Sequence, residues 1–309
     1  MDASTTVGDA GTGSDLRPGD AAGLFTLEAT GTDTFRAEGA PGGERAHLFG
    51  GQIAAQALAA AGQTVTGARP HSLHCYFLRP GDAGQPAEFT VDRPHEGRTF
   101  RRRRVMVVQA GVAIASLDAS FTADSEFTDE AAGPADHQPA PRVPPPDDCP
   151  GFVPPRAFRG RRSPWELIEV RLVPSGDGVI PDVHPTTSDL WIRLRGEPPP
   201  GVRPEVVVTY LSDLAFGGAM MRPSPSRPEG RRDVAHFSSL DHCAWFHHPA
   251  DLSDWLLFTK SPVAAGHARG LVTGQIFNRD GALAASLTQE ALLHLRPAPA
   301  PDSSPNGAS

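Results

Sequence analysis

Histidines are the first side chains in this sequence that suggest chemistry, because five of them lie in two short stretches rich in aromatic residues. They are His71, His74, His242, His247 and His248. A zinc site of the protease type would need the helical spacing His-Glu-x-x-His, which the sequence lacks. Neighbouring side chains of a strand also point to opposite faces, so adjacent histidines would not share one ion. We therefore expect no metal and no cofactor.

Serine and cysteine chemistry is also disfavoured. Neither half of the chain contains the Gly-x-Ser-x-Gly turn that presents a nucleophilic serine. Three cysteines cannot all pair, and we interpret Cys75 and Cys243 as buried, inert thiols. The first residues do not have the charged-then-apolar pattern of a secretory leader. These features predict a cytoplasmic protein rather than a secreted disulfide scaffold.

Charge and hydropathy exclude two further classes of partner. The chain has 28 basic and 36 acidic residues and a net charge of −8, which disfavours binding to nucleic acid. Its longest uncharged apolar run, near residues 49–62, is too short to span a bilayer. We expect a soluble protein that binds neither nucleic acid nor membrane.

The elements that must position any site occur twice. Phe49-Gly50-Gly51 recurs as Phe216-Gly217-Gly218 and Ser72-Leu73 as Ser239-Leu240, both 167 residues later, and Ala115-Ser116-Leu117 recurs as Ala285-Ser286-Leu287 after 170. Three matches in the same order and at nearly constant spacing indicate a duplication. Two copies of one fold are therefore predicted, rather than a solenoid of short repeats.

Each copy is predicted to be an α+β unit. In the first, the uncharged, alanine-rich segment 49–61 favours a buried helix that ends near Gly62. Turn signals then separate four strands, at 72–78, 88–93, 99–109 and 112–122. In the second, a helix near 209–221 should precede strands at 235–246, 256–261, 269–278 and 282–295. An antiparallel meander that follows a helix in the sequence can wrap around that helix.

The composition of the remaining segments sets the domain boundaries. Residues 1–18 and 298–309 are small, polar and aperiodic, which is typical of disordered tails. Between Pro134 and Pro164 lie ten of the 32 prolines, so 126–162 is interpreted as an extended linker. It divides an N-terminal unit, 19–125, from a C-terminal unit, 163–297.

Seven motifs in order resemble the type II acyl-CoA thioesterases. They are HLFGGQIAAQAL, HSLHCYFLRPGD and GRTFRRRRV in the first unit, and SDLAFGG, SLDHCAWFHHP, DWLLF and ASLTQE in the second. The resemblance implies a double hotdog, in which two hotdog units each wrap an antiparallel sheet around a central helix. It also implies hydrolysis of acyl-CoA to a fatty acid and CoA without a metal.

The resemblance also carries a catalytic set onto the second unit. The family's Asp falls on Asp213, its Thr or Ser on Ser239 and its Gln on Gln289, and together they would hold the attacking water. With Asp213 expected near a helix start, Gly217 and Gly218 become candidates to polarise the carbonyl and to let the thioester approach closely.

Two arginines are candidates for the CoA phosphates. Arg98 and the run Arg101–Arg104 form the one basic cluster of an acidic chain, and in a strand two of the four would face each way. Arg98 and Arg102 could then meet phosphate, although a solvated strand face explains the cluster equally well.

The repeat offsets predict one hydrolytic centre per chain. They carry the catalytic set onto Ala46, Ser72 and Ala119, and alanine can neither orient water nor accept its proton. Two other functions stay open: a hotdog enoyl-CoA hydratase or dehydratase, which needs a histidine base, and an acyl-CoA-binding protein without turnover. The resemblance suggests that chains associate further, although a duplicated fold could also be a stable monomer.

Overall fold

The protein is described here from a computed structural model, which places residues 21–38, 47–123, 138–153, 167–174, 189–197, 200–221 and 234–295. The predicted tails 1–18 and 298–309, and Ala46, lie outside these residues. The first unit contains α1 (Ala21–Phe25), β1 (Glu28–Gly31), β2 (Thr34–Ala37), α2 (Gly50–Gln63), β3 (Ala68–Phe77), β4 (Ala87–Glu96), β5 (Phe100–Gln109) and β6 (Val112–Ala123). The second contains β7 (Ile168–Leu172), β8 (Leu190–Leu194), α3 (Pro204–Ser212), β9 (Val234–Ser239), β10 (Asp241–Phe246), β11 (Leu256–Gly266), β12 (Arg269–Phe277) and β13 (Leu283–Leu295).

One antiparallel sheet joins the two units. Its strand order is β1-β2-β4-β5-β6-β3-β10-β13-β12-β11-β8-β7, with β9 also paired to β13. From one edge the first unit contributes β1-β2-β4-β5-β6-β3, and from the other edge the second unit contributes the corresponding strands β7-β8-β11-β12-β13-β10. Strands β3 and β10 meet at the centre. Two copies of one fold related by an internal two-fold produce this pattern. The topology therefore confirms the predicted duplication and the double hotdog fold.

Helix α2 is the buried central helix of the first unit, as predicted. Nine of its residues are buried, and most of these are alanines. Small side chains let a helix approach a sheet and another helix closely, and burial of the helix rather than its short length stabilises it. Its N-terminal turn lies against the end of α3, where the Gly51 amide bonds Asp213.

The predicted helix of the second unit was placed wrongly. Helix α3 begins with Pro204 at its first turn and ends at Ser212, and a separate 3-10 helix covers Gly217–Met221. Between them Ala215 has a φ of +56°, a left-handed conformation that interrupts a right-handed helix. Asp213 is consequently the residue that caps the end of α3, not one near a helix start.

The described part of the predicted linker packs on the second unit. Cys149 is buried beside Trp191 and Trp255, and the Trp191 indole N–H donates to the Pro144 carbonyl at 2.9 Å. Arg171 forms an isolated bridge with Gly151. Residues 138–153 thus cover a face of the second unit.

No helix among the described residues is long and apolar enough to cross a membrane.

Candidate active site

Asp213, Ser239 and Gln289 meet on the inner face of the sheet, as the resemblance implied. The Gln289 carboxamide donates from Nε2 to Asp213 Oδ1 at 2.6 Å and to Ser239 Oγ at 3.0 Å. Asp213 comes from the end of α3, Ser239 from the end of β9 and Gln289 from the middle of β13. Asp213 and Gln289 are buried, and Ser239 is partly exposed.

The first unit completes this set with the start of α2. The Gly51 amide N–H donates to Asp213 Oδ2 at 2.7 Å, and the N-cap residue Phe49 provides no side-chain cap. A Cβ on Gly50 would lie 2.8 Å from Asp213 Oδ2, so a side chain there would displace the carboxylate. Asp213 therefore caps the helix of the other unit, where unpaired amides and the helix dipole favour a negative charge.

The electrostatics of Asp213 fit a general base. Burial raises the pKa of its carboxyl from 3.8 to about 6, although hydrogen bonds from Gln289 and the Gly51 amide oppose the rise. A base is most efficient when its pKa is close to the working pH. Gln289 Oε1 is buried without a hydrogen-bond partner among the described residues, so an acceptor is left open beside the carboxylate.

A buried histidine anchors the helix end that carries Asp213. The Ser212 hydroxyl contacts His242 Nε2 at 2.8 Å and donates to the Thr209 carbonyl at 3.0 Å. Because that hydroxyl has one proton, which Thr209 accepts, His242 must donate from Nε2. Burial lowers the pKa of His242 to about 4, so the ring is neutral and links α3 to β10.

Sequence reasoning missed Gly50, Gly51 and His242 as parts of this site. For the glycines, the available signal was a Gly-Gly pair at the start of an uncapped helix, which leaves amides free for an anion. For His242, the signal was strand alternation, because Asp241 and Cys243 point outwards and leave His242 facing the core. Cys243 is therefore only partly buried, contrary to expectation, whereas Cys75 is buried as expected.

The other predicted residues do not join the catalytic set. Gly217 and Gly218 are buried in the 3-10 helix, and a Cβ on Gly217 would lie 2.6 Å from the Phe237 ring. The absent side chain at Gly217 thus makes room for Phe237. Arg98 lies in the β4–β5 turn, and Arg102 is exposed on the outer face of β5.

The neighbouring Arg103 has a structural role. Its side chain is fully buried and donates from Nε to Thr64 Oγ1 at 2.7 Å and from Nη2 to the Thr64 carbonyl at 3.1 Å. Thr64 is the residue that caps the end of α2. A cation at a helix C-terminus stabilises its unpaired carbonyls.

Strand register changes which residues of the first unit correspond to the set. In β9, Ser239 lies opposite the buried Ala291 and faces inwards, whereas Ser72 pairs with Ser120 on the outer face. In the pairing of β3 with β10, Ser72 lies opposite Trp245 and Tyr76 lies opposite Asp241, which makes Asp241 the counterpart of Ser72 at an offset of 169. The constant offset of 167 is therefore wrong here. The inward positions that correspond are Thr64 for Asp213, as helix caps, Pro70 for Ser239 and Ala119 for Gln289.

Comparison with known families gives two matches that cover most of the chain. The description "Acyl-CoA thioesterase N-terminal domain" matches residues 40–122, and "Acyl-CoA thioesterase C-terminal domain" matches residues 134–293.

Individual proteins give the same result. The chain is 34% identical to Acyl-coenzyme A thioesterase 8 of Mus musculus over 92% of this chain and 91% of that protein. It is 30% identical to Acyl-CoA thioesterase 2 of Haemophilus influenzae over 87% and 95%. Among solved structures, Acyl-CoA thioesterase II TesB2 from Mycobacterium marinum has 32% identity and a TM-score of 0.71, covering 91% of this chain and all of that one. The tesB protein of Mycobacterium avium has 30% identity and a TM-score of 0.72, covering 91% and 99%.

Proposed function

Because the chain belongs to the type II acyl-CoA thioesterase family and is an acyl-CoA thioester hydrolase, we propose that it cleaves the thioester with a water molecule held by Asp213, Ser239 and Gln289. The observation that carries the proposal is that hydrogen bonds from Gln289 bring the three side chains together at one point.

The polar atoms left open at this point match the needs of a water nucleophile. Such a water has to donate one proton to a base and keep a lone pair directed at the carbonyl carbon. Asp213 accepts the proton, and the unpartnered Gln289 Oε1 accepts the second O–H. The Ser239 hydroxyl, which receives a bond from Gln289, donates to the water and fixes its position.

The start of α2 is the best candidate to stabilise the oxyanion. Neither Gly50 nor Gly51 has an amide bonded within the first turn, where the bonds to Phe49 begin with the Gln52 amide. Gly51 is engaged by Asp213. We assign the thioester oxygen to the amide of Gly50, a residue that is partly exposed. This assignment replaces Gly217 and Gly218.

The reaction then proceeds in two balanced steps. Water oxygen attacks the thioester carbon while Asp213 takes one water proton, which gives a tetrahedral oxyanion. The oxyanion reforms its carbonyl as the carbon–sulfur bond breaks, and Asp213 returns the proton to the leaving CoA sulfur. The products are a fatty acid and CoA, and Asp213 is ionised again.

Thiol release tests this function most simply. Straight-chain acyl-CoAs of increasing length are mixed with the protein, and free thiol is followed with a chromogenic disulfide. We expect turnover that Asp213→Asn lowers about a hundredfold or more. A folded Asp213→Asn variant with full activity would contradict the proposed base.

Crotonyl-CoA, added to these substrates, separates the two alternative functions. Enoyl-CoA hydration would consume crotonyl-CoA without releasing thiol, and it would need a histidine base. The buried His242 is a poor candidate, because a pKa lowered to about 4 makes it a weak base and its Nε2 is bonded to Ser212. A binding protein without turnover would retain acyl-CoA intact.

The cellular setting and the assembly are also proposals. We propose that the reaction belongs to fatty acid metabolism, because hydrolysis of acyl-CoA releases a fatty acid. We propose a cytoplasmic location, because three cysteines that cannot all pair are not typical of a secreted disulfide scaffold. Arg98 and Arg102 remain candidates for CoA phosphate, and charge-reversal variants that leave KM unchanged would exclude them. Sedimentation at several concentrations would test the association of chains.

A further inference from the structure

A cavity of about 180 Å³, partly open to solvent, lies between the last turn of α2 and the first turn of α3. Its walls are mostly apolar and include Leu58, Pro70, Phe121 and Val206. Two polar side chains, Gln63 and Arg203, also line it. The cavity is therefore a separate feature, at the end of the helix pair away from Asp213.

This position corresponds to the catalytic site through the internal two-fold of the sheet. At the catalytic end, the start of α2 meets the end of α3 through Gly51 and Asp213. At the cavity, the end of α2 meets the start of α3, since a Cβ on Gly62 would lie 4.0 Å from Arg203 Nε. On the sheet, Pro70 opposite Phe121 at the cavity corresponds to Ser239 opposite Ala291 at the catalytic end.

The polar groups needed for hydrolysis are absent from this second position. Thr64, Pro70 and Ala119 stand where the second unit has Asp213, Ser239 and Gln289. Thr64 is also engaged by the buried Arg103. The duplicated architecture thus keeps a cavity here without a base or a group to orient water.

The cavity's size and charge define what it can hold. A cavity of about 150 Å³ lined by aliphatic and aromatic residues accommodates benzene, so this one has room for about six or seven apolar carbons. Arg203 is only partly exposed, and no described carboxylate forms an ion pair with it. Together with the Gln63 amide, it favours an anionic oxygen group at the cavity's edge.

We propose that this cavity is a second, non-catalytic site that binds a short- or medium-chain fatty acid. The apolar chain would fill the space between Leu58, Phe121 and Val206, and the carboxylate would contact Arg203. Fatty acids are the class of product that thioester hydrolysis releases, so the site would fill as product accumulates.

Calorimetric titration of the full chain with straight-chain carboxylates, from butanoate to decanoate, tests the proposal. Affinity should rise about fourfold for each added methylene, the factor that corresponds to about 0.8 kcal/mol, and should level off once about seven carbons are buried. Because no thioester is present, the result does not depend on whether thiol release is observed.

Two variants locate the ligand. Ala59→Leu, which fills the cavity from α2, should weaken binding at least tenfold. Arg203→Met should weaken carboxylate binding at least threefold and leave the corresponding alcohols unaffected. Arg104→Met is the matched control, because Arg104 pairs with Asp118 on the outer face of the sheet, and should change nothing.

The refuting results are equally definite. The absence of saturable binding to the unmodified protein up to about 10 mM would overturn the proposal. So would binding that is unchanged in both folded variants, since the ligand would then lie elsewhere. Thermal unfolding confirms that each variant is folded, and Arg203→Met serves alone if Ala59→Leu is not.

Discussion

Replacing Asp213 with Asn should stabilise the folded protein relative to the unmodified chain as the pH rises, while it removes most of the activity. Burial is the largest cause of the raised pKa of Asp213, so the ionised carboxylate costs folding free energy. A rise of the pKa from 3.8 to about 6 corresponds to about 3 kcal/mol at pH values well above 6.

The sign follows from the pKa in the two states. Since the folded state holds the Asp213 proton more tightly than the unfolded state, this group favours folding below about pH 4 and loses that contribution as the pH rises to about 6. Asparagine carries no charge and has no such dependence. It also keeps one oxygen for the Gly51 amide, and Gln289 can present Oε1 to its NH₂ group. Of the full difference of about 3 kcal/mol in unfolding free energy between the two proteins, about 1.5 kcal/mol should develop between pH 5 and pH 8.

Urea unfolding of both proteins at pH 5 and pH 8 measures this change. The difference in unfolding free energy should increase in favour of Asp213→Asn by about 1.5 kcal/mol over that range. Asp118→Asn, which alters an exposed carboxylate, is the control and should show no comparable increase. An identical difference at the two pH values, or one that moves against the variant, would refute the buried-base argument.

Further predictions concern the residues that hold the water and the independence of the reaction from metal ions. Ser239→Ala should reduce the maximal rate of thiol release strongly, whereas Ser72→Ala, on the outer face, should stay within a few-fold of the unmodified enzyme; equal losses would refute the assignment of Ser239. Asp213→Asn and Gln289→Ala should each cost about a hundredfold or more, and the double variant should lose little more than either alone, because both act on one water; multiplied losses would show independent roles. Thiol release should survive EDTA, because the set needs no metal and the described residues contain no cluster of three or more ligands; loss on chelation with recovery on adding a divalent ion would contradict this mechanism.

The parts of the fold that local patterns determine could be predicted from the sequence. The uncharged, alanine-rich run after Phe49 predicts α2, and turn signals such as Gly97 and Gly111 delimit the long strands of the first unit. The short strands β1, β2, β7 and β8 were not predicted, because four or five residues carry too little periodicity to stand out.

The parts of the site that depend on distant contacts could not be predicted. Asp213 is held by an amide 162 residues away in sequence, so no local motif reveals that it caps α2. The helical segment ends early because Ala215 adopts a left-handed conformation. This conformation could not be predicted, because the residue is not a glycine. The equivalence of Ser72 and Ser239 failed because the strand pairing relates the two copies here at an offset of 169 rather than 167, so that Pro70 is the counterpart of Ser239. A recurring Ser-Leu pair does not by itself fix the register of a strand.

The pH dependence of kcat/KM tests most directly whether a buried Asp213 acts as the base, because this parameter reports ionisations of the free enzyme. Thiol release is measured from pH 4.5 to 9 at acyl-CoA concentrations well below KM, for the unmodified enzyme and for Asp213→Asn. We predict that kcat/KM of the unmodified enzyme falls on the acid side with a midpoint near 6, the pKa of Asp213, and that the residual rate of the variant lacks this limb. A variant that retains both its rate and the acid limb would show that another group takes the proton from water.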